Sequence, residues 1–248
     1  MFILAILPGI VLFVLVWRFD KTEKEPPKLL WKLFLFGALT TISTIIIGTL
    51  GEKLFFFLDP ESLLYVIIDN FLLVALVEES GKFFVLKKIT WNHPAFDYTF
   101  DAVVYAVTSS LGFAVIENIV YLIDSDLTTA ILRAIMSVPG HVIYGVFMGY
   151  YYGIAKMEDT RGNKEAAKTC LIKALIIPAA LHGFYDFCLD ADLWFLYIVV
   201  LIFEIVLTVK GYKKLRQLSN EDTAINPAEN EEVVAEAMNI NNLNDINI

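Results

Sequence analysis

Apolar residues gather along the chain in long uninterrupted runs separated by short polar connections. Seven runs stand out, over approximately residues 2–17, 31–57, 62–86, 99–123, 127–155, 171–189 and 193–209. A helix needs about 20 mostly apolar residues to cross a hydrocarbon core, and most of these runs reach that length. The pattern predicts an all-α, polytopic membrane helix bundle of about seven transmembrane helices. The first run is short, but basic residues follow it rather than precede it and no small-residue cleavage pattern ends it. It therefore reads as a retained helix, not a signal peptide.

The connections differ in charge. Arg18, Lys21, Lys24, Lys28 and Lys32 follow the first run; Lys87 and Lys88 end the third. Lys156, Arg161, Lys164, Lys168 and Lys173 separate the fifth from the sixth, and Lys210, Lys213, Lys214 and Arg216 follow the last. The alternate connections, around Asp59 to Glu61, Asp124 to Asp126 and Asp190 to Asp192, hold no Lys or Arg. By the positive-inside rule the N-terminus lies outside and the C-terminus is cytosolic, as an odd number of crossings requires.

Composition agrees with a lipid solvent: 57% of the 248 residues are hydrophobic and 19% charged, with a mean hydropathy of +0.63. A soluble domain is only about 45–50% apolar. The net charge of −9 is mostly a property of the end of the chain, where seven acidic residues (Glu221, Asp222, Glu229, Glu231, Glu232, Glu236, Asp245) occur without one Lys or Arg. The division expected is a membrane domain over 1–216 and an acidic, disordered cytosolic tail over 217–248, dispensable for chemistry. Spread over four cytosolic segments, the basic residues act as topology signals, and nucleic acid is not an expected partner. Cys170 and Cys188 lie about 27 Å apart on one helix, too far to pair within it.

Charges inside the runs carry the functional signal. Glu78 and Glu79 are adjacent, Lys82 follows within one turn, Glu117 sits in SSLGFAVIENIVY, His141 in SVPGHVIYG, and His182 with Asp186 in AALHGFYDF. Ionisable side chains near mid-membrane cost several kcal/mol unless paired or facing a polar cavity. Each has a structural reading: a lone membrane histidine often bridges helices, Asp186 can merely hold His182 at i+4, and Arg133 can be the counter-ion of Glu117. Together, on four runs, they predict one wet pocket. Pro139 and Pro178 precede the two histidines and predict local bends, whereas Gly145, Gly149 and Gly153 read as a packing stripe.

Carboxylates with imidazoles suit activation of water, by a glutamate general base or through a bound metal. No HExxH motif, phosphate loop or CxxC occurs, and no serine has a nucleophile-elbow context. Proton-coupled transport and a non-catalytic membrane scaffold are the competing classes.

EESGK (78–82), FDAVVYAVTSSLGFAVIENIVYL (100–122), RAIMSVPGHVIYGVFMGYYYGIAK (133–156) and IPAALHGFYDF (177–187) resemble the PrsW family of bacterial intramembrane proteases, related to the CAAX prenyl proteases. Pro8-Gly9 and the layout fit as well, so the resemblance covers roughly 1 to 216. It implies a multi-pass protein of the bacterial plasma membrane with catalytic residues at Glu78, Glu79, Glu117, His141, His182 and Asp186. It also implies a single-span membrane substrate such as an anti-sigma factor, cut first near the outer face, with a downstream intramembrane protease acting next. Where the family has glycines, this chain has Ala102 and Ala106, a difference expected to act on packing. In the glutamate version Glu78 or Glu79 activates water, His182 polarises the scissile carbonyl, and Asp186 orients His182. In the metal version Glu79, Glu117, His141 and His182 would hold zinc. The cofactor is therefore either none or zinc.

Overall fold

The computed structural model describes residues 2–123 and 126–226. The connection at 124–125 and the tail from 227 lie outside the described residues. The described chain is helical: α1 (Phe2–Phe19), α2 (Pro27–Leu54), α3 (63–90), α4 (Asp101–Tyr121), α5 (Leu127–Thr160), α6 (Lys164–Asp190) and α7 (Trp194–Asn220). Helix starts follow local chemistry. Pro27 opens α2 in the first turn, where its missing N–H costs nothing. Ser62, Asp126 and Asn163 cap α3, α5 and α6 by accepting from the N–H groups of Tyr65, Thr129 and Ala166.

Among the described residues two helices contain π-helical turns, Asp69–Ala75 in α3 and Arg133–Ser137 in α5. Such turns change the direction in which later side chains point and cluster at functional sites. The second lies immediately before Val138 and Pro139, where a proline cannot donate to the preceding turn. The bend expected at Pro139 is thus taken up as a widened turn, while Pro178 sits inside a continuous helix.

Among the described residues five helices, α2, α4, α5, α6 and α7, are long and apolar enough to cross a membrane. Exposed apolar side chains such as Leu35, Leu39 and Ile42 on α2 and Ile198, Leu201 and Ile205 on α7 give these two helices lipid-compatible outer faces. By contrast α4 is buried at every position from Asp101 to Val115. It runs through the middle of the bundle, packed by α2, α5 and α1.

Its neighbours come within backbone contact. A Cβ on Gly37 of α2 would fall 2.2 Å from the Ser109 carbonyl oxygen, and one on Gly149 of α5 only 2.5 Å from Val103 Cα. The small-residue stripe on α5 therefore packs against α4, as expected. Ala102 and Ala106, where glycines were expected, are fully buried in that packing.

At one end of the bundle three segments meet: 20–26, 91–100 and 219–226. The Asp222 carboxylate accepts from Phe100 N at 2.8 Å and Thr99 Oγ1 at 3.1 Å, at the N-terminal end of α4, and from Thr22 Oγ1 at 2.7 Å. Thr99 N donates to Thr223 O and Ile225 N to Asp97 O, and the Ile225 side chain is buried. For residues 217–226 this replaces the expected disorder; the rest of that tail lies outside the described residues. The helix continues to Asn220, and 221–226 dock because Asp222 satisfies free N–H groups at a helix start while Ile225 enters the core.

Candidate active site

The polar positions on α3, α4, α5 and α6 converge into one chain of contacts. Lys82 Nζ stands 2.8 Å from Glu79 Oε1 and 3.4 Å from Glu78 Oε2, the i+3 and i+4 pairings of one helical face. Lys82 is wholly buried, with its ammonium 4.0 Å above the centre of the Phe113 ring. On its far side it meets His141 Nδ1 at 3.3 Å. His141 Nε2 lies 2.8 Å from Glu117 Oε2. Arg133 faces Glu117 Oε1 at 3.0 Å as an ionic contact, and its Nε donates to Asn118 Oδ1 at 2.9 Å.

His182 closes the other end. Its Nδ1 donates to Glu79 Oε1 at 3.1 Å, and its Nε2 approaches Asp186 Oδ2 at 3.2 Å in an ion-pair contact that lacks hydrogen-bond alignment. Tyr144 stacks on the His182 ring, centroids 5.0 Å apart. All six residues singled out in the sequence, Glu78, Glu79, Glu117, His141, His182 and Asp186, thus belong to one cluster, and Arg133 is indeed placed against Glu117.

A cavity of 330 Å³ adjoins the cluster. His141, His182, Glu117 and Asp186 form part of its wall, together with Asn70, Tyr144 and, toward the helix ends, Thr129 and Asp190. Glu78 and Glu79 are not part of that wall, but both reach Nδ1 of His182, which is, at 3.9 and 3.1 Å. Of the two, Glu79 is completely inaccessible whereas Glu78 keeps 5% exposure.

Three participants were not assigned to the site from sequence. Lys82 was read only as a neutralising charge, yet it touches both glutamates and His141. Tyr144 gave no signal, because an aromatic in an apolar run reads as core. Glu204 on α7 is buried, within electrostatic reach of His182 and Asp186. Its signal was available: a lone carboxylate within the run 193–209.

For a metal, Glu78, Glu79, His141 and His182 offer donor atoms that all lie within 4.8 Å of one another, a set chemically suited to zinc. Glu78 rather than Glu117 joins this set, since Glu117 is engaged by Arg133 and His141 Nε2. The arrangement does not fit a resident metal while Lys82 occupies its present position. A carboxylate only accepts, so the proton of neutral His141 sits on Nε2 toward Glu117, leaving the single Nδ1 lone pair directed at the Lys82 ammonium.

Residues 25–209 match the family described as PrsW family intramembrane metalloprotease. The chain is similar to Protease PrsW of Oceanobacillus iheyensis, 34% identical over 222 residues that cover 90% of this chain and 97% of that one. It is 32% identical to Protease PrsW of Clostridioides difficile over 229 residues, covering 91% and 94%. Against Protease PrsW of Bacillus subtilis it is 33% identical over 219 residues, covering 86% and 93%. No solved structure matches the chain.

Proposed function

The chain belongs to the PrsW family of intramembrane proteases and is a multi-pass bacterial membrane protein, and we propose that it hydrolyses a peptide bond in a membrane-anchored regulatory protein with a glutamate as the base. The observation that carries this reading is the contact chain Asp186–His182–Glu79–Lys82–His141–Glu117, buried beside a cavity large enough to receive a short length of peptide.

Within the pair, Glu79 holds structure and Glu78 acts on water. Glu79 is wholly inaccessible and its Oε1 is bound by both Lys82 and His182, so water cannot reach it. Glu78 is held more loosely, at 3.4 Å from Lys82 and 3.9 Å from His182, and retains access. It takes a proton from water as the oxygen adds to the scissile carbonyl, then returns that proton to the leaving amine. A general base of this kind contributes roughly 10²–10⁴-fold.

His182 serves the carbonyl oxygen. An Nε2 lone pair 3.2 Å from a carboxylate oxygen would be repelled, so the contact with Asp186 calls for a proton on Nε2. With Nδ1 fixed on Glu79 and Tyr144 stacked on the ring, that proton is held at the cavity wall to meet the developing oxyanion. Arg133 and His141 keep Glu117 from competing for it.

All of α1 to α7 cross the membrane in this reading, with the N-terminus outside and the C-terminus cytosolic. The lysine-rich ends share the side on which 20–26 and 219–226 meet. Thr129 and Asp190, at the opposite ends of α5 and α6, line the cavity. Substrate therefore enters from the extracytosolic half, which suits a first cut in a single-span protein such as an anti-sigma factor, followed by a downstream intramembrane protease.

The test compares new protein N-termini in membranes of cells carrying the wild-type protein or His182→Ala, under envelope stress and at equal protein levels. A cut in a single-span protein that vanishes in the variant is the expected result. Identical sets of termini would overturn the peptidase reading and bring forward a scaffold or a proton-coupled transporter.

A further inference from the structure

We propose that Lys82 is the resident cation of the carboxylate–imidazole cluster, and that it keeps a divalent ion out of the site. The donors of Glu78, Glu79, His141 and His182 lie within 4.8 Å of one another, so that a small inward adjustment would bring them to one ion of zinc's ligand preference. Lys82 Nζ is within 3.4 Å of three of the four, at 2.8 Å from Glu79 Oε1, 3.4 Å from Glu78 Oε2 and 3.3 Å from His141 Nδ1. The Phe113 ring closes another side of the ammonium.

His141 decides between the two occupants. A zinc-bound imidazole nitrogen points its lone pair at the metal from about 2.0–2.1 Å. The lone pair of His141 Nδ1 points at the ammonium, and turning the ring to offer Nε2 would forfeit the 2.8 Å contact with Glu117. The ammonium has no easy retreat. It is wholly buried and sits one turn from both glutamates on the same helix, so withdrawing it would leave an uncompensated charge in a low-dielectric interior. A divalent ion beside it would add like-charge repulsion at a few ångströms.

The chain thus carries its own cation, covalently attached. Lys82 is a positioning residue: it holds Glu78, Glu79 and His141 in their arrangement as a metal would, but cannot bind a hydroxide. The consequence for the reaction, that a carboxylate must deprotonate water, rests on the peptidase reading above. The occupancy itself does not.

The experiment uses the full chain in detergent, equilibrated with zinc at a buffered free concentration, with bound metal measured by mass spectrometry. Wild type is expected to hold less than about a tenth of an equivalent under conditions where Lys82→Ala takes up about one. Adding His141→Ala to Lys82→Ala should weaken that uptake by more than the roughly 10–100-fold that loss of an outer-shell partner costs, since His141 would be a direct ligand. Wild-type protein that retains a full equivalent overturns the proposal whether or not any variant folds. So does a Lys82→Ala protein that unfolds cooperatively yet binds no zinc; should Lys82→Ala not fold alone, it is expected to fold when zinc is supplied, and failure to do so counts against the proposal equally. Cleavage measured on the same samples separates the two readings, since zinc-free wild type without peptidase activity would sink the peptidase alone.

Discussion

His182 and Glu79, 103 residues apart on α6 and α3, share a hydrogen bond of 3.1 Å from imidazole Nδ1 to carboxylate Oε1. The bond joins the wall of the cavity to the buried lysine, so the ring on that wall is oriented by a carboxylate that does not line it. Replacing His182 with Ala is expected to lower cleavage by about 10²–10⁴-fold while the helices remain folded, measured as turnover beside a thermal unfolding transition. Unchanged turnover would remove His182 from the chemistry.

The two glutamates should separate stability from catalysis. Glu78→Gln is expected to lose turnover with little change in unfolding. Glu79→Gln removes the nearest partner of a wholly buried ammonium and should cost about 3–5 kcal/mol. Finding the reverse split would exchange their roles.

Arg133 and Glu117 should behave as a pair. Both are largely shielded, so Arg133→Gln leaves Glu117 with His141 alone and is expected to destabilise by about 1–3 kcal/mol. The double variant Arg133→Gln with Glu117→Gln should recover part of that loss, with a coupling of about 0.5–3 kcal/mol in a double-mutant cycle. Additive effects would show that the contact contributes nothing.

Helix packing offers a control within one residue type. Gly149→Ala places a Cβ 2.5 Å from the Val103 backbone and is expected to cost about 1–3 kcal/mol. Nothing lies within 4 Å of a Cβ at Gly48, so Gly48→Ala should be neutral or stabilising. Equal melting temperatures for the two would contradict the close approach of α4 and α5.

The polar end of the bundle should depend on pH. Burial pushes the Glu25 carboxyl up from an ordinary 4.5 to about 7, although it accepts a hydrogen bond from Tyr105. Because the folded form holds its proton more tightly, the stabilisation is fully present below pH 4.5 and is lost as pH rises through 7. Hydrogen exchange at 20–26 and 219–226, corrected for intrinsic rates, is expected to quicken between pH 5.5 and 8, and Glu25→Gln should flatten that dependence. Equal protection at both pH values in the wild type would refute it.

Much of this arrangement was legible in the chain. Glu78, Glu79, Glu117, His141, His182 and Asp186 announced themselves because lipid penalises a lone charge, and the i+3 and i+4 spacings placed Lys82 against both glutamates. Glu204 was legible by the same rule and escaped attention as a single residue. Tyr144 was not, since an aromatic is ordinary in an apolar run and only a neighbour stacked on it reveals a role. The docked segment 221–226 was hidden for a related reason: its composition is that of a solvated tail, and the helix start that Asp222 completes lies 122 residues away along the chain.

What the sequence determined by itself was the solvent, the helices and the set of polar residues that had to find one another, because hydrophobic length and the cost of buried charge act locally along the chain. Which atom faces which was decided only by tertiary structure. The π-helical turns, the backbone contacts at Gly37 and Gly149 and the position of α4 set the distances that put the Lys82 ammonium, not Glu117, against His141 Nδ1. That choice depends on ångström-scale packing between helices, and no spacing within a single helix specifies it.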